Sequence, residues 1–180
     1  MKIIDFTYDK SPFMIELMES VASKLPKGSE LVYVPKIQLD NDRAHWKLKD
    51  TSKIRFEKMP VNLENFLNLE NPDIIIFVGY YGKNLKSIKK WCKNNKKKFF
   101  IWAGERIMEY NINNGHFKKH NKLFVWLKYR IHKHYTKNVN GLIACGNRAS
   151  YLYQENTNNT IPVVNVPYVF DLKDMLSKDM

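Results

Sequence analysis

Two rhythms of apolar and polar positions run along this chain, and each change of rhythm marks an element. Lys2 to Tyr8 is a short strand-like run. Ser11 and Pro12 then suit the cap and first position of a helix. Met14, Leu17, Met18, Val21 and Leu25 follow at i, i+3, i+4, i+7 and i+11, which is one buried helical face, and Pro26-Lys27-Gly28 stops it. Glu30 to Val34 predicts a second strand, and the alternation of Lys53 to Glu57 predicts a third, at an edge. The stretch from Pro35 to Ser52 is polar and predicts nothing firm. Asn62 to Leu69 reads as a short helix. Pro72 to Val78 is an unbroken apolar run, the pattern of a central parallel strand covered on both faces. A turn at Gly79 to Gly82 leads to a helix over Lys83 to Asn95, with Leu85, Ile88, Trp91 and Cys92 inward and lysines outward. Lys98 to Trp102 is the next strand, ending in Ala103-Gly104-Glu105. A long polar loop rich in Asn is expected after it. Asn121 to Tyr135 predicts a helix, Gly141 to Cys145 a buried strand, and Gly146-Asn147 the cap of a helix from Arg148 to about Gln154. Thr160 to Val166 predicts the last strand.

Strands alternate with helices almost throughout, and parallel strands joined by crossovers are the economical solution for that order. The expectation is an α/β fold, a three-layer Rossmann-like domain with a doubly wound, mostly parallel sheet of about six or seven strands. Neither an internal repeat nor a long linker breaks the chain. One domain over 1–171 is expected, with 172–180 as a tail or the start of an interdomain linker.

Composition narrows the class. With 180 residues, 44% of them hydrophobic, the chain can bury a sizeable core, and 10 Phe, 10 Tyr and 4 Trp argue against disorder. The two cysteines, Cys92 and Cys145, fall in a helix and a strand, so a disulfide framework is not expected and a reducing cytoplasm is. The first residues lack the apolar region and cleavage site of a signal peptide, and no run of 18 uncharged apolar residues suits a membrane span.

The net charge of +12 is localised. Between Lys83 and Lys137, sixteen Lys or Arg face only Glu105 and Glu109, so this segment carries +14 and the remainder −2. Such a side attracts anions at long range, although a lysine-rich solvated face would read the same way. From Phe117 to Lys137 there are seven Lys or Arg and no acid, interleaved with Leu123, Phe124, Val125, Trp126, Leu127, Tyr129, Ile131 and Tyr135. A basic, aromatic helix of this kind suits an anionic membrane surface, with Lys118, Lys119, Lys122, Lys128, Arg130 and Lys133 as its charges. The plainer reading is a crossover helix packed on the sheet with a basic outer side.

Ligands of open parallel sheets bind beyond the carboxyl ends of the strands. That rule selects Asp9, Lys10 and Ser11 after the first strand, and Tyr80 and Tyr81 between Gly79 and Gly82. It also selects Glu105 and Arg106 after Gly104, Asn147 after Gly146, and Tyr168 after the last strand. Glu105 can take a proton from an attacking hydroxyl, and Arg106 can clamp a phosphate or carboxylate. A local Glu-Arg salt bridge and ordinary turn glycines are the alternative. A Gly-x-Gly-x-x-Gly fingerprint, a Walker A loop and a nucleophile elbow are all absent. His116, His120, His132 and His134 have no cysteine at zinc-finger spacing, and His132 and His134 diverge on a helix, so a metal is not expected.

The order of motifs is similar to a known pattern. Ala103-Gly104-Glu105 ends a strand, and a basic helix follows. Asn140 to Gly146 leads to Ala149-Ser150-Tyr151-Leu152-Tyr153, and Ile161 to Asp171 closes with Pro167-Tyr168-Val169-Phe170-Asp171. This resembles the amino-terminal half of group 1, retaining glycosyltransferases of the GT-B fold, most clearly from Pro72 to Asp171. Two features depart from the family. The first loop is Asp9-Lys10-Ser11-Pro12 where many members are glycine-rich, and no two glutamates stand eight apart as in the family's donor-side Glu-x7-Glu motif. The resemblance implies an acceptor-binding half without metal or other cofactor. Its implied partners are a C-terminal domain that holds the nucleotide-sugar and a cell-envelope glycan or lipid-linked acceptor. The implied setting is cytoplasmic, extending to the inner face of the cell membrane. Glu105 would be catalytic, with Asp9, Lys10, Tyr80, Tyr81, Arg106 and Asn147 binding substrate. The rival is a stand-alone basic α/β module for nucleic acid or another polyanion. It rests on charge alone, because the recognised nucleic-acid motifs are missing.

Overall fold

The strongest apolar runs become the middle of a sheet. In a computed structural model, residues 1–7, 12–35, 54–79, 83–104, 110–113, 116–119 and 121–166 are described. The elements follow in the order β1 (Lys2–Thr7), α1 (Pro12–Lys24), β2 (Glu30–Pro35), β3 (Ile54–Phe56), α2 (Leu63–Glu70), β4 (Ile74–Val78), α3 (Lys83–Asn94) and β5 (Lys98–Gly104). Then come β6 (Tyr110–Asn113), β7 (His116–Lys119), α4 (Lys122–Thr136), β8 (Gly141–Cys145), α5 (Asn147–Thr157) and β9 (Val163–Asn165). Seven strands form one sheet in the order β3-β2-β1-β4-β5-β8-β9, and every pairing in it is parallel. The fold is α/β and Rossmann-like, as the alternation predicts.

Helices cover both faces because interior parallel strands are apolar on both. On one face Ile4, Phe6, Ile75, Phe77 and Ile101 pack with Leu67 of α2, Leu85 and Ile88 of α3, and Tyr153 of α5. On the other, Ile3, Leu31 and Tyr33 pack with Met18 and Ala22 of α1, and the same cluster includes Trp102 and Cys145. Burying each such aliphatic side chain contributes about 1.5–3 kcal/mol. Leu85, Ile88, Trp91 and Cys92 are all buried, so α3 turns inward the face its spacing predicts. β3 lies at a sheet edge, as expected.

Two expectations are corrected. The segment after β5 contains β6 and β7, an antiparallel pair with Asn113 opposite His116, where a long polar loop was expected. The intervening Asn114-Gly115 is the dipeptide most favoured in two-residue hairpins, a signal masked by the Asn-rich surroundings. Helix α5 begins at Asn147 rather than Arg148. Gly146 alone is its cap, at φ 89° and ψ 162°, with no capping side chain.

Charge fastens the β3 edge. Arg55 of β3 donates to Glu30 of β2 at 2.8 Å, to Glu70 of α2 at 2.6 Å, and to Glu57. Lys2 of β1 reaches Glu70 at 2.8 Å and Glu30 at 3.2 Å. Burial alone would raise the Glu70 carboxyl, but bonds from Arg55 and Lys2 outweigh it and hold the group below its ordinary range. The bond from Arg55 is the main cause that lowers Glu30, with Lys2 adding to it against burial.

Candidate functional site

The sheet has a topological switch between β1 and β4: the chain leaves toward β2 and β3 on one side and toward β5, β8 and β9 on the other. Such a switch opens a crevice at the carboxyl ends of the strands. In-register pairing puts these ends on one rim, with Val78 beside Trp102, and Gly104 beside Cys145. The rim is knitted by backbone bonds: Gly79 N–H donates to Trp102 O at 2.7 Å, and Val166 N–H to Ala144 O at 2.8 Å. Gly79 and Gly146 turn the chain out of β4 and β8 at φ 91° and 89°, a conformation that side chains resist. Apart from its neighbours along the chain, no atom of the described residues lies within 4 Å of the position a Cβ would take on Gly146.

Asn147 sits on this rim as expected. It is exposed, and its side-chain oxygen accepts a hydrogen bond from the Asn165 amide at the end of β9. Both residues are exposed, and an amide can both donate and accept hydrogen bonds. Glu105, Arg106, Asp9, Lys10, Ser11, Tyr80, Tyr81 and Tyr168 lie outside the described residues. The described residues that precede them end at the same rim: Thr7, Gly79, Gly104 and Val166. Beneath it, the buried indole of Trp102 donates to Cys145 Sγ at 2.8 Å.

Asp5 was not among the expected site residues. It is fully buried in β1, opposite Tyr33 and Ile76, two residues below the end of the strand, where Thr7 is also buried. A carboxylate inside an apolar strand is uncommon enough to have been the signal.

The basic helix is present as α4, capped by the Asn121 side chain. Lys122, Arg130 and Lys133 are exposed on it, and the Arg130 guanidinium lies 4.9 Å from the Trp126 ring centroid. Lys128 is on the same helix and Lys118 and Lys119 are on β7, with side chains outside the described set. The outer side of α4 is basic, as the plainer expectation has it, and it is also apolar. Among its described side chains His132 and Thr136 are buried and Tyr135 packs against the core, while Leu123, Phe124, Trp126, Leu127 and Ile131 are exposed. His132 stacks on Tyr153, ring centroids 5.2 Å apart, so Tyr153 belongs to the packing of α4 on α5. His134, two residues on, is exposed, and the two histidines diverge as their spacing predicts. Lys89 Nζ donates to Tyr135 O at 2.9 Å and ties α3 to α4, and burial lowers its ammonium pKa.

Opposite the rim, where β5 begins, Lys89, Lys93, Lys96, Lys97 and Lys98 line an open cleft of about 390 Å³ with Asn138 and Asn140. Among the described residues no group of three His, Cys, Asp or Glu is placed to hold a metal, and no helix is long and apolar enough to cross a membrane. No protein-family model matches the chain, and no curated protein matches it.

Proposed function

We propose that this chain is the acceptor-side half of a GT-B glycosyltransferase, which moves a sugar from a nucleotide-sugar to a cell-envelope glycan or lipid-linked acceptor. The observation that carries the reading is the rim. A seven-stranded parallel sheet ends there in two left-handed glycine turns and an exposed amide pair, Asn147 with Asn165. The order of Ala103-Gly104-Glu105, Asn140 to Gly146 and Pro167 to Asp171 adds the resemblance.

The chemistry needs an acceptor hydroxyl held against the anomeric carbon of the donor. As the hydroxyl attacks, its proton must leave and the nucleoside diphosphate must depart. Glu105, directly after the last residue of β5, is the proposed carboxylate for that hydroxyl. Arg106 would clamp an acceptor phosphate or carboxylate, and Asp9, Lys10, Tyr80, Tyr81 and Asn147 would orient hydroxyls from neighbouring turns. The departing diphosphate would be stabilised by a C-terminal, donor-binding domain. The test is amide-resolved NMR with glycan and lipid-linked saccharide acceptors. Shifts at Gly79, Gly104, Gly146 and Asn165 are expected.

A second reading has its own observation, the five-lysine cleft, which suits a polyanion. Salt-sensitive shifts from an oligonucleotide at Lys89 to Lys98, with a silent rim, would favour it over glycosyl transfer.

A further inference from the structure

Helix α4 carries a row of apolar side chains on its exposed side. Helices lying on a sheet bury an apolar stripe and expose polar residues. Among its described side chains, His132 and Thr136 are buried and Tyr135 packs against the core, yet apolar residues also face outward. At 3.6 residues per turn, Leu123, Leu127 and Ile131 form one outward row, flanked by Phe124 and Trp126. Leu123 is 69% exposed and Trp126 51%. The other exposed large apolar residues, such as Val61, Leu69 and Val164, are scattered over separate segments. A contiguous patch marks an interaction surface, whereas scattered residues do not.

We propose that α4 is a docking helix for a bilayer surface rich in anionic phospholipid, lying in the plane of that surface with the Leu123, Leu127 and Ile131 row inserted. Charge selects this occupant. Lys122, Arg130 and Lys133 are exposed on the same helix, and the sequence from 117 to 137 holds no acid. A second copy of the chain would set this basic face against itself. The cation of Arg130 over Trp126 pairs a headgroup-seeking charge with a ring suited to the interface. The row spans roughly 12 Å along the helix, enough to lie on a bilayer and far too little to cross it. Because α4 connects the parallel strands β5 and β8, it runs back against them, and its Leu123 end is on the rim side of the sheet. The proposal stands independently of the glycosyltransferase reading.

The experiment uses the full chain with phosphatidylcholine vesicles, pure or with about one-third phosphatidylglycerol. Binding is read by co-sedimentation and by Trp fluorescence. The wild type should sediment with the anionic vesicles only and shift its emission to the blue. Leu127→Glu with Ile131→Glu, both at exposed positions, should lower vesicle affinity about tenfold or more, with an unchanged circular dichroism spectrum. Lys122→Glu with Lys133→Glu should do the same. No sedimentation with anionic vesicles would overturn the proposal. So would binding that survives the Leu127/Ile131 change, which would reduce the contact to simple charge attraction. Dimerisation in solution that the Leu127/Ile131 change abolishes, without vesicle binding, would give the face to a second copy.

Discussion

At the scale of single residues, Gly141 at the start of β8 and Gly146 just beyond its end are required for different reasons. Gly146 combines φ 89° with ψ 162°, a region nearly closed to other residues, yet open space surrounds the missing Cβ. Gly146→Ala should therefore cost about 1–3 kcal/mol through backbone strain alone, read by chemical denaturation. Gly141 has an ordinary backbone, but a Cβ there would lie 2.9 Å from the Phe100 ring. Gly141→Ala should also cost about 1–3 kcal/mol, here through crowding. Phe100→Leu should recover part of the Gly141 loss and none of the Gly146 loss, and a double-mutant cycle without coupling between 100 and 141 would refute the distinction. Cys92 supplies a separate residue-level expectation. Burial pushes its thiol up to about 12, so the reactive thiolate is scarce at neutral pH. Alkylation of Cys92 in the native protein should run no faster than global opening, measured by mass spectrometry against denaturant. Rapid labelling would show that α3 breathes locally.

At the scale of elements, periodicity made most of the fold legible. The i, i+3, i+4 spacing of Leu85, Ile88, Trp91 and Cys92 located both α3 and its buried face, and the unbroken run before Gly79 located a central strand. The β6–β7 pair was hidden because Tyr-Asn-Ile-Asn alternates too briefly among polar neighbours, despite Asn114-Gly115. The direction of α4 was illegible for another reason: with apolar residues on several sides, no single stripe says which side meets the sheet. Partners distant in sequence were also out of reach, and the Lys2, Glu30, Arg55, Glu57 and Glu70 cluster joins β1, β2, β3 and α2 in this way. Glu30 and Glu70 are held below their ordinary range, so their stabilisation is complete above the unfolded value near 4.5 and fades as pH falls through the lower folded value. The melting temperature should hold from neutrality to about pH 5 and decline below it. Glu70→Gln should cost about 1–2 kcal/mol at neutral pH, between the exposed and buried limits for ion pairs, and should shrink the acid decline. An unchanged pH profile in that variant would mean the cluster adds nothing to folding.

At the scale of the whole molecule, the candidate site was legible as a place more than as a set of contacts. Parallel topology says that the segments after β1, β4, β5 and β8 share a rim, and Asn147, reached by Asn165 from β9, shows the rule at work on described residues. The individual roles of Asp9, Tyr80, Glu105 and Arg106 do not follow from topology, because a rim fixes where a side chain starts and leaves open where it points. The same scale sets the limit of the chain's chemistry. Glycosyl transfer needs donor and acceptor held together in attack geometry, which is worth several orders of magnitude in rate. The sequence carries no Glu-x7-Glu pair for a nucleotide-sugar, and the proposed function assigns that donor to a second domain. The purified chain alone should therefore turn over no nucleotide-sugar, assayed by release of the nucleoside diphosphate with acceptor present. Joined to a donor-binding domain, the assembly should transfer. Glu105→Gln should then cut turnover by about two orders of magnitude or more while the melting temperature stays near wild type. Turnover by the chain alone would refute the division of labour. Wild-type turnover in the Glu105→Gln assembly would remove Glu105 from the chemistry and leave the acceptor-side reading to the other rim residues.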